Sequence, residues 1–79
     1  MDYKTYVEMI RRSIKRVNEN LKNKGDKMSL FNTGIELKHI ESIIDEAYDM
    51  DYITYNSFKL LRKWYNKYYA EIVHKIIWL

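Results

Sequence analysis

The chain has 79 residues, of which 47% are hydrophobic, 32% are charged and none is Cys, and its formal net charge is +3. This length suits one domain with a small core, and the apolar content is too high for a disordered segment. Without Cys, disulfides and thiolate zinc sites are excluded, so stability must come from packing or oligomerisation.

Helix 1 is predicted from about residue 2 to residue 23. Its apolar residues recur at alternating steps of four and three, which is the seam of an amphipathic helix. Asp2 suits the N-cap, and Gly25 stands where a left-handed C-terminal residue is expected. The seam consists of Tyr3, Val7, Ile10, Ile14, Val17 and Leu21.

A loop is predicted over residues 24–33, and it ends at the second glycine, Gly34. Three large apolar residues, Met28, Leu30 and Phe31, stand close together in it. A structureless loop would not need them, so we expect them to fold over an open end of the core.

Helix 2 is predicted from about residue 34 to residue 50, with Leu37, Ile40, Ile44 and Ala47 among its apolar positions. Thr33 suits the N-cap because a Glu follows three residues later, which is the arrangement of a capping box.

Helix 2 also carries an acidic row, Glu41, Asp45 and Asp49, at steps of four residues. Like charges at this spacing repel, by a few tenths of a kcal/mol per pair. We favour pairing of this row with Lys or Arg of helices 1 and 3, and a binding surface is the alternative.

Helix 3 is predicted from about residue 55 to residue 79, with Thr54 as its N-cap. Its main apolar arc contains Phe58, Leu61, Tyr65, Tyr68, Ile72, Ile76 and Leu79. Leu60 and Trp78 lie away from this arc, and Trp64 borders it. Large exposed apolar groups with charged neighbours are typical of an interface.

Three amphipathic helices predict an all-α fold, a compact three-helix bundle in a single helical domain over residues 1–79. The oligomeric state stays open between a monomer and a homodimer through helix 1 or helix 3.

The sequence offers little for catalysis or metal binding. His39 and His74 each follow a Glu by three residues, as in di-iron bundles, but both point away from the apolar faces of their helices. A calcium loop starting at Asp49 would need Gly and Glu where Thr54 and Leu60 stand. There is no glycine-rich phosphate loop and no nucleophile elbow. We therefore expect no enzyme, no metal, no cofactor and no small-molecule substrate.

Charge is divided unevenly along the chain. Residues 2–24 have seven Lys or Arg and three acids, residues 34–51 have one and six, and residues 52–79 have five and one. With Asp26 and Lys27 cancelling, the segments carry +4, −5 and +4. An acidic helix between two basic ones can pair with both and still leave basic faces free for a partner.

The expected function is therefore that of a small helical interaction module, whose partner is first of all another protein, with a second copy of the chain as a further choice. Basic side chains would steer the encounter, and Leu and Trp anchors would hold the partner. The partner-binding residues are expected to be Arg11, Arg12, Lys15, Arg16, Leu60, Arg62, Lys63, Trp64 and Trp78.

Size and class, rather than particular residues, suggest an adaptor or a stoichiometric inhibitor of the kind encoded by phages and other mobile elements. The chain begins without an apolar signal segment and has no run of roughly 18–20 apolar residues. We therefore expect a cytoplasmic protein with no membrane partner.

The alternative is a DNA-binding protein of helix-turn-helix type, in which the start of helix 3 enters the major groove. The residue types there suit bases and phosphates, although the acidic helix 2 opposes attraction to phosphates. The expected DNA-binding residues are Tyr55, Asn56, Lys59, Arg62 and Lys63.

Overall fold

The computed structural model describes residues 3–23 and 25–77. It has three helices: α1 spans Tyr3–Leu21, α2 spans Lys27–Asp49 and α3 spans Tyr55–Ile77. No strand occurs within these residues. The predicted all-α three-helix bundle is thus confirmed.

The helix ends near the first break differ from the prediction. Helix α1 ends in a tight turn, in which the N–H of Lys22 donates to the carbonyl of Glu19 at 3.3 Å and that of Asn23 to Asn20 at 3.0 Å. These bonds satisfy carbonyls at the helix end. Because α1 ends at Leu21, Gly25 lies beyond the position of a left-handed cap, and its predicted capping role is wrong. The predicted N-cap Asp2 lies outside the described residues.

The prediction of a loop over residues 24–33 is wrong, because α2 begins at Lys27 rather than at residue 34. Asp26 is the N-cap. Its backbone is extended, and its carboxylate accepts a hydrogen bond from the N–H of Met28 at 3.2 Å. A capping carboxylate of this kind satisfies one of the free N–H groups at the start of a helix.

The predicted N-cap Thr33 lies inside α2. Its hydroxyl donates to the carbonyl of Ser29 at 2.9 Å, and both residues are buried. The helical phase that buries these two residues turns Met28 and Phe31 outward, so both are exposed. The expectation that Met28 and Phe31 cover the core is therefore wrong.

The turn between α2 and α3 is closed by hydrogen bonds across residue 51. Asp51 has a φ of 59°, and its N–H donates to the carbonyl of Tyr48 at 3.0 Å. The N–H of Tyr52 donates to the carbonyl of Ala47 at 2.9 Å. This is a Schellman motif with Asp at the left-handed position where Gly is usual.

Helix α3 then starts as predicted. The hydroxyl oxygen of Thr54 accepts a hydrogen bond from the N–H of Ser57 at 3.2 Å, which confirms Thr54 as the N-cap.

Helix α2 is the central element, because every cluster of buried residues includes part of it. It runs antiparallel to both neighbours. Toward α1, Tyr6 packs with Ile43 and Ala47 near the end of α2. Toward α3, the rings of Tyr48 and Phe58 stack 4.5 Å apart beside the connecting turn. A third group joins all three helices through Val17, Leu37 and Ile72.

The buried face of α1 is rotated from the predicted seam. Tyr6 and Ser13 are buried, whereas Ile10 and Ile14 are only half-buried. Ile10 and Ile14 of the seam pack at the edge of the cluster formed by Ile40, Ile44 and Tyr65. The predicted seam thus identifies the helix and its fully buried Val17, but it misses the buried Tyr6 and Ser13.

Candidate interaction surfaces

Two of the predicted partner-binding arginines form ion pairs between helices. Nε of Arg16 in α1 lies 2.8 Å from Oε1 of Glu36 in α2. Nη1 of Arg62 in α3 lies 3.0 Å from Oε2 of Glu41 and 3.6 Å from Oδ1 of Asp45. Part of the acidic row of α2 is thus relieved by a basic neighbour, as the sequence predicts.

The other predicted steering residues have exposed side chains. Arg11, Arg12 and Lys15 lie on the outer face of α1, and Lys63 lies on the outer face of α3. Arg11 lies 4.0 Å from Glu8 of its own helix, and both side chains are more than half exposed. Ion pairs of this kind contribute little to stability, so this face keeps its positive charge available.

The structure describes two of the three predicted apolar anchors. Leu60 is 70% exposed on α3. Trp64, one turn further, is half-buried, and its ring stacks on that of Tyr68 at 5.3 Å with an angle of 8° between the planes. Trp78 lies outside the described residues, so its role stays a prediction. Trp64 also packs against the buried residues Ile40, Ile44 and Tyr65, so the exposed apolar anchor on the outer face of α3 is Leu60.

The residues expected to contact DNA are less well arranged. Contacts between α2 and α3 extend from the stacked rings of Tyr48 and Phe58 to the cluster that contains Leu37 and Ile72, so the two helices run side by side, whereas those of a helix-turn-helix cross at about 90–120°. Arg62 is held by Glu41 and Asp45. The ammonium group of Lys59 lies 5.4 Å from the centre of the Tyr55 ring. Asn56 and Lys63 are exposed, and the DNA interpretation rests on these residue types alone.

A second apolar surface was not predicted from the sequence. It comprises five exposed side chains from the start of α2 and the end of α3, and we call it the groove surface. Between the two helices runs an open groove of about 710 Å³, lined in part by Leu30, Gly34, Val73 and Ile76. The five exposed residues are Met28, Phe31, Ile35, Tyr69 and Ile77, and of these Tyr69 lines the groove itself.

A signal for this surface was present in the sequence. Met28, Phe31 and Ile35 follow one another at steps of three and four, which is the spacing of one helix face. The assignment of a loop to residues 24–33 concealed it, because spacing has no such meaning in a loop.

Three tyrosines have raised pKa values. Burial chiefly raises the pKa of Tyr65, with further contributions from Glu41 and Tyr69, while Arg62 opposes the change. Burial and then the carboxylate of Glu71 raise the pKa of Tyr68. Each of these hydroxyls therefore stays protonated at neutral pH and can act as a hydrogen-bond donor.

The pKa of Tyr6, at the other end of the bundle, is also raised. Burial raises its pKa first, followed by the charge of Glu46 and by Tyr52. The rings of Tyr6 and Tyr52 lie 5.4 Å apart, so this tyrosine ties α1 to the turn between α2 and α3.

The described residues contain no group of three or more His, Asp or Glu placed to hold a metal ion. His39 and His74 are both exposed, in agreement with their predicted positions. No helix within the described part of the chain has the length and apolar character needed to cross a membrane.

Comparison with known proteins gives no relative, since no family model, curated protein or solved structure matches the chain. Function must therefore be inferred from the chain's own residues.

Proposed function

We propose that the chain is a non-enzymatic interaction module that binds another protein through the outer faces of α1 and α3. Leu60 is the observation that carries this proposal, because a large apolar side chain 70% exposed gains about 1.5–3 kcal/mol when a partner covers it. Trp64 beside it is held by its stack on Tyr68. Little side-chain entropy is then lost on binding.

The charge of these faces supports a partner with an acidic surface. Arg11, Arg12 and Lys15 on α1 and Lys63 on α3 are exposed. Such charges raise association rates more than they raise affinity. Arg16 and Arg62 contribute less to steering, since each is paired with a carboxylate of α2. On this proposal the chain acts by occupying its partner stoichiometrically, as an adaptor or inhibitor does.

The test is to capture a partner from a lysate of the source cells on the immobilised chain, identify it, and measure its Kd with purified components. We expect Leu60→Ser to raise the Kd at least tenfold, which corresponds to about 1.4 kcal/mol. The matched control is Phe31→Ser, an equally exposed apolar residue on a different face, which should leave the Kd unchanged. An unchanged Kd for Leu60→Ser contradicts the proposal.

The DNA alternative is tested on random duplex over a range of salt concentrations. If the chain binds duplex with an affinity that falls steeply with salt, and the immobilised chain retains no protein from the lysate, the DNA-binding alternative replaces the proposal. If no duplex binds at low salt, the alternative is excluded.

A further inference from the structure

The first half of α2 has a row of exposed apolar side chains on its outer face that the proposed function does not use. Met28, Phe31 and Ile35 are 62%, 65% and 51% exposed. At about 100° per residue they lie within an arc of roughly 60°, on the side away from the buried residues of α2. None of the three lines the groove between α2 and α3, so they project from a convex helix surface.

Two lysines stand at the ends of this apolar row. Lys27 and Lys38 are exposed, and the helical repeat places both within about 40° of Phe31 around the helix axis. Neither forms an ion pair within the described residues. A lysine can lay its aliphatic stem along an apolar surface while its ammonium group reaches outward. We call the three apolar residues and the two lysines together the α2 face.

The acids of this half of α2 are turned to other partners. Glu36 and Glu41 are half-buried, and each is paired with an arginine of a neighbouring helix, at 2.8 Å and 3.0 Å. Asp26 precedes the helix as its N-cap, where its carboxylate accepts the N–H of Met28. Within residues 27–42 no exposed residue is an acid. The α2 face therefore combines projecting apolar side chains with positive charge alone.

We propose that the α2 face binds the surface of a membrane that contains anionic lipids. Its apolar side chains enter the boundary between headgroups and acyl chains, and its lysines lie against the negative headgroups. The charge of the face is complementary to such a surface. Its shape is suitable as well, because a fluid bilayer closes around each projecting side chain, whereas a protein must supply a matching pocket.

This mode of binding needs no spanning segment. The expectation of no membrane partner rests on the lack of such a segment, but a helix face that lies on a membrane surface is a different case. The buried side of α2 stays packed against α1 and α3, so the bundle binds as a folded unit. With one short apolar row and two lysines, the binding is reversible. It is separate from the proposed function, which uses the outer faces of α1 and α3.

The experiment measures co-sedimentation of the purified chain with vesicles of phosphatidylcholine alone and with vesicles that also contain about 30% phosphatidylserine. We expect binding to the anionic vesicles to be at least tenfold stronger than to the neutral ones, and to weaken as salt is raised. Phe31→Ser should weaken it at least tenfold, because the central apolar side chain of the row is lost. Far-UV circular dichroism checks that each variant keeps its helices.

Two methionines provide a matched pair of variants, since Met28 and Met50 are 62% and 57% exposed at opposite ends of α2. Met28→Ser should weaken binding severalfold. Met50→Ser should leave it unchanged, because Met50 stands between two acids, Asp49 and Asp51.

A second pair of variants tests the charge. Lys38→Glu should weaken binding to anionic vesicles at least tenfold. Lys67→Glu changes the net charge equally, but Lys67 is exposed on α3, so it should weaken binding by less than about threefold.

The depth of each face in the membrane can be measured with a nitroxide label, since the chain contains no Cys. With anionic vesicles, a label on Ile35→Cys should become more accessible to oxygen and less accessible to a water-soluble nickel chelate. A label on Ala70→Cys, at an exposed position of α3, should stay in water.

A chain that does not sediment with anionic vesicles at low salt overturns the proposal, and the α2 face would then serve a protein partner. Equal binding to neutral and anionic vesicles also overturns it, because the lysines would then play no part. So do equal losses in Met28→Ser and Met50→Ser, which would place the contact elsewhere. None of these results bears on the Kd of the protein partner, so the two proposals fail separately.

Discussion

The hydroxyl of Tyr65 in α3 donates a buried hydrogen bond to the backbone carbonyl of Leu37 in α2 at 2.9 Å. This bond fixes how far one helix is shifted along the other. Three residues later, the hydroxyl of Tyr68 is buried without a partner among the described residues. The same group is therefore paired at one position and unpaired at the next turn.

This contrast predicts different effects for the same substitution. Tyr65→Phe should lower the free energy of unfolding by about 1 kcal/mol, the usual contribution of a hydrogen bond. Tyr68→Phe should leave it unchanged or raise it by up to about 1 kcal/mol, because an unsatisfied buried hydroxyl is removed. Urea unfolding of both variants measures the difference. Equal losses in the two would contradict the assigned hydrogen bonding.

Alkaline pH should destabilise the fold through its buried tyrosines. The pKa values of Tyr6, Tyr65 and Tyr68 are raised above the ordinary value of 10.0. The unfolded chain therefore loses these protons first. The free energy of unfolding should be unaffected by them below about pH 10 and should fall as the pH rises toward their folded-state pKa values.

Urea unfolding between pH 8 and pH 11 measures this slope. Tyr65→Phe should make it shallower, because one of the three groups is removed. Tyr55→Phe, at an exposed tyrosine, should keep the wild-type slope because all three groups remain. A steeper or unchanged slope in Tyr65→Phe would show that its hydroxyl does not take part.

Much of this fold follows from helical periodicity. The existence of three helices, the cap at Thr54 and the exposed position of Leu60 all come from local spacing, which the sequence displays directly. The start of α2 does not follow from local spacing, because two residues in this region could each serve as its N-cap. Asp26 and Thr33 both suit the role, and Gly34 makes the later one look better. The earlier one prevails because it adds two turns that bury Ser29 and Thr33.

The candidate surfaces depend on tertiary arrangement, which the sequence shows less well. The local sequence pattern does not distinguish Arg62 from Lys63. Arg62 forms ion pairs with two carboxylates of α2, whereas Lys63 is exposed. The groove surface needs the start of α2 and the end of α3 to be neighbours. That follows only from their antiparallel packing.

The turn at Asp51 offers a test of backbone strain. Asp51 has a φ of 59°, and this conformation costs a residue with a side chain about 1 kcal/mol. Its negative charge also lies at the C-terminal end of α2, where the helix dipole is unfavourable to an acid. Asp51→Gly should therefore raise the free energy of unfolding by about 1 kcal/mol.

Two further variants separate the causes at this turn. Asp51→Asn removes the charge and keeps a residue that tolerates the conformation, so it should stabilise by a few tenths of a kcal/mol. Asp51→Ala removes the same charge, but Ala suits the left-handed conformation poorly. Its free energy of unfolding should therefore be lower than that of Asp51→Asn. Thermal unfolding ranks the three variants. Equal stability of the Ala and Asn variants would show that charge alone governs the turn.

Arg62 should stabilise the packing of α3 on α2 rather than serve only to attract a partner. Its guanidinium lies within 3.6 Å of both Glu41 and Asp45, which repel each other along α2. Arg62→Met should lower the free energy of unfolding by up to about 1 kcal/mol, and high salt should reduce this effect. A double-mutant cycle with Glu41→Gln isolates the pair and should give a coupling energy of about 0.5–1 kcal/mol.

The matched control is Lys63→Met. Loss of this exposed side chain should cost little stability, but it should slow association with the protein partner more than Arg62→Met does. Zero coupling in the cycle, with equal slowing by both variants, would show that Arg62 acts in steering as the sequence alone predicts.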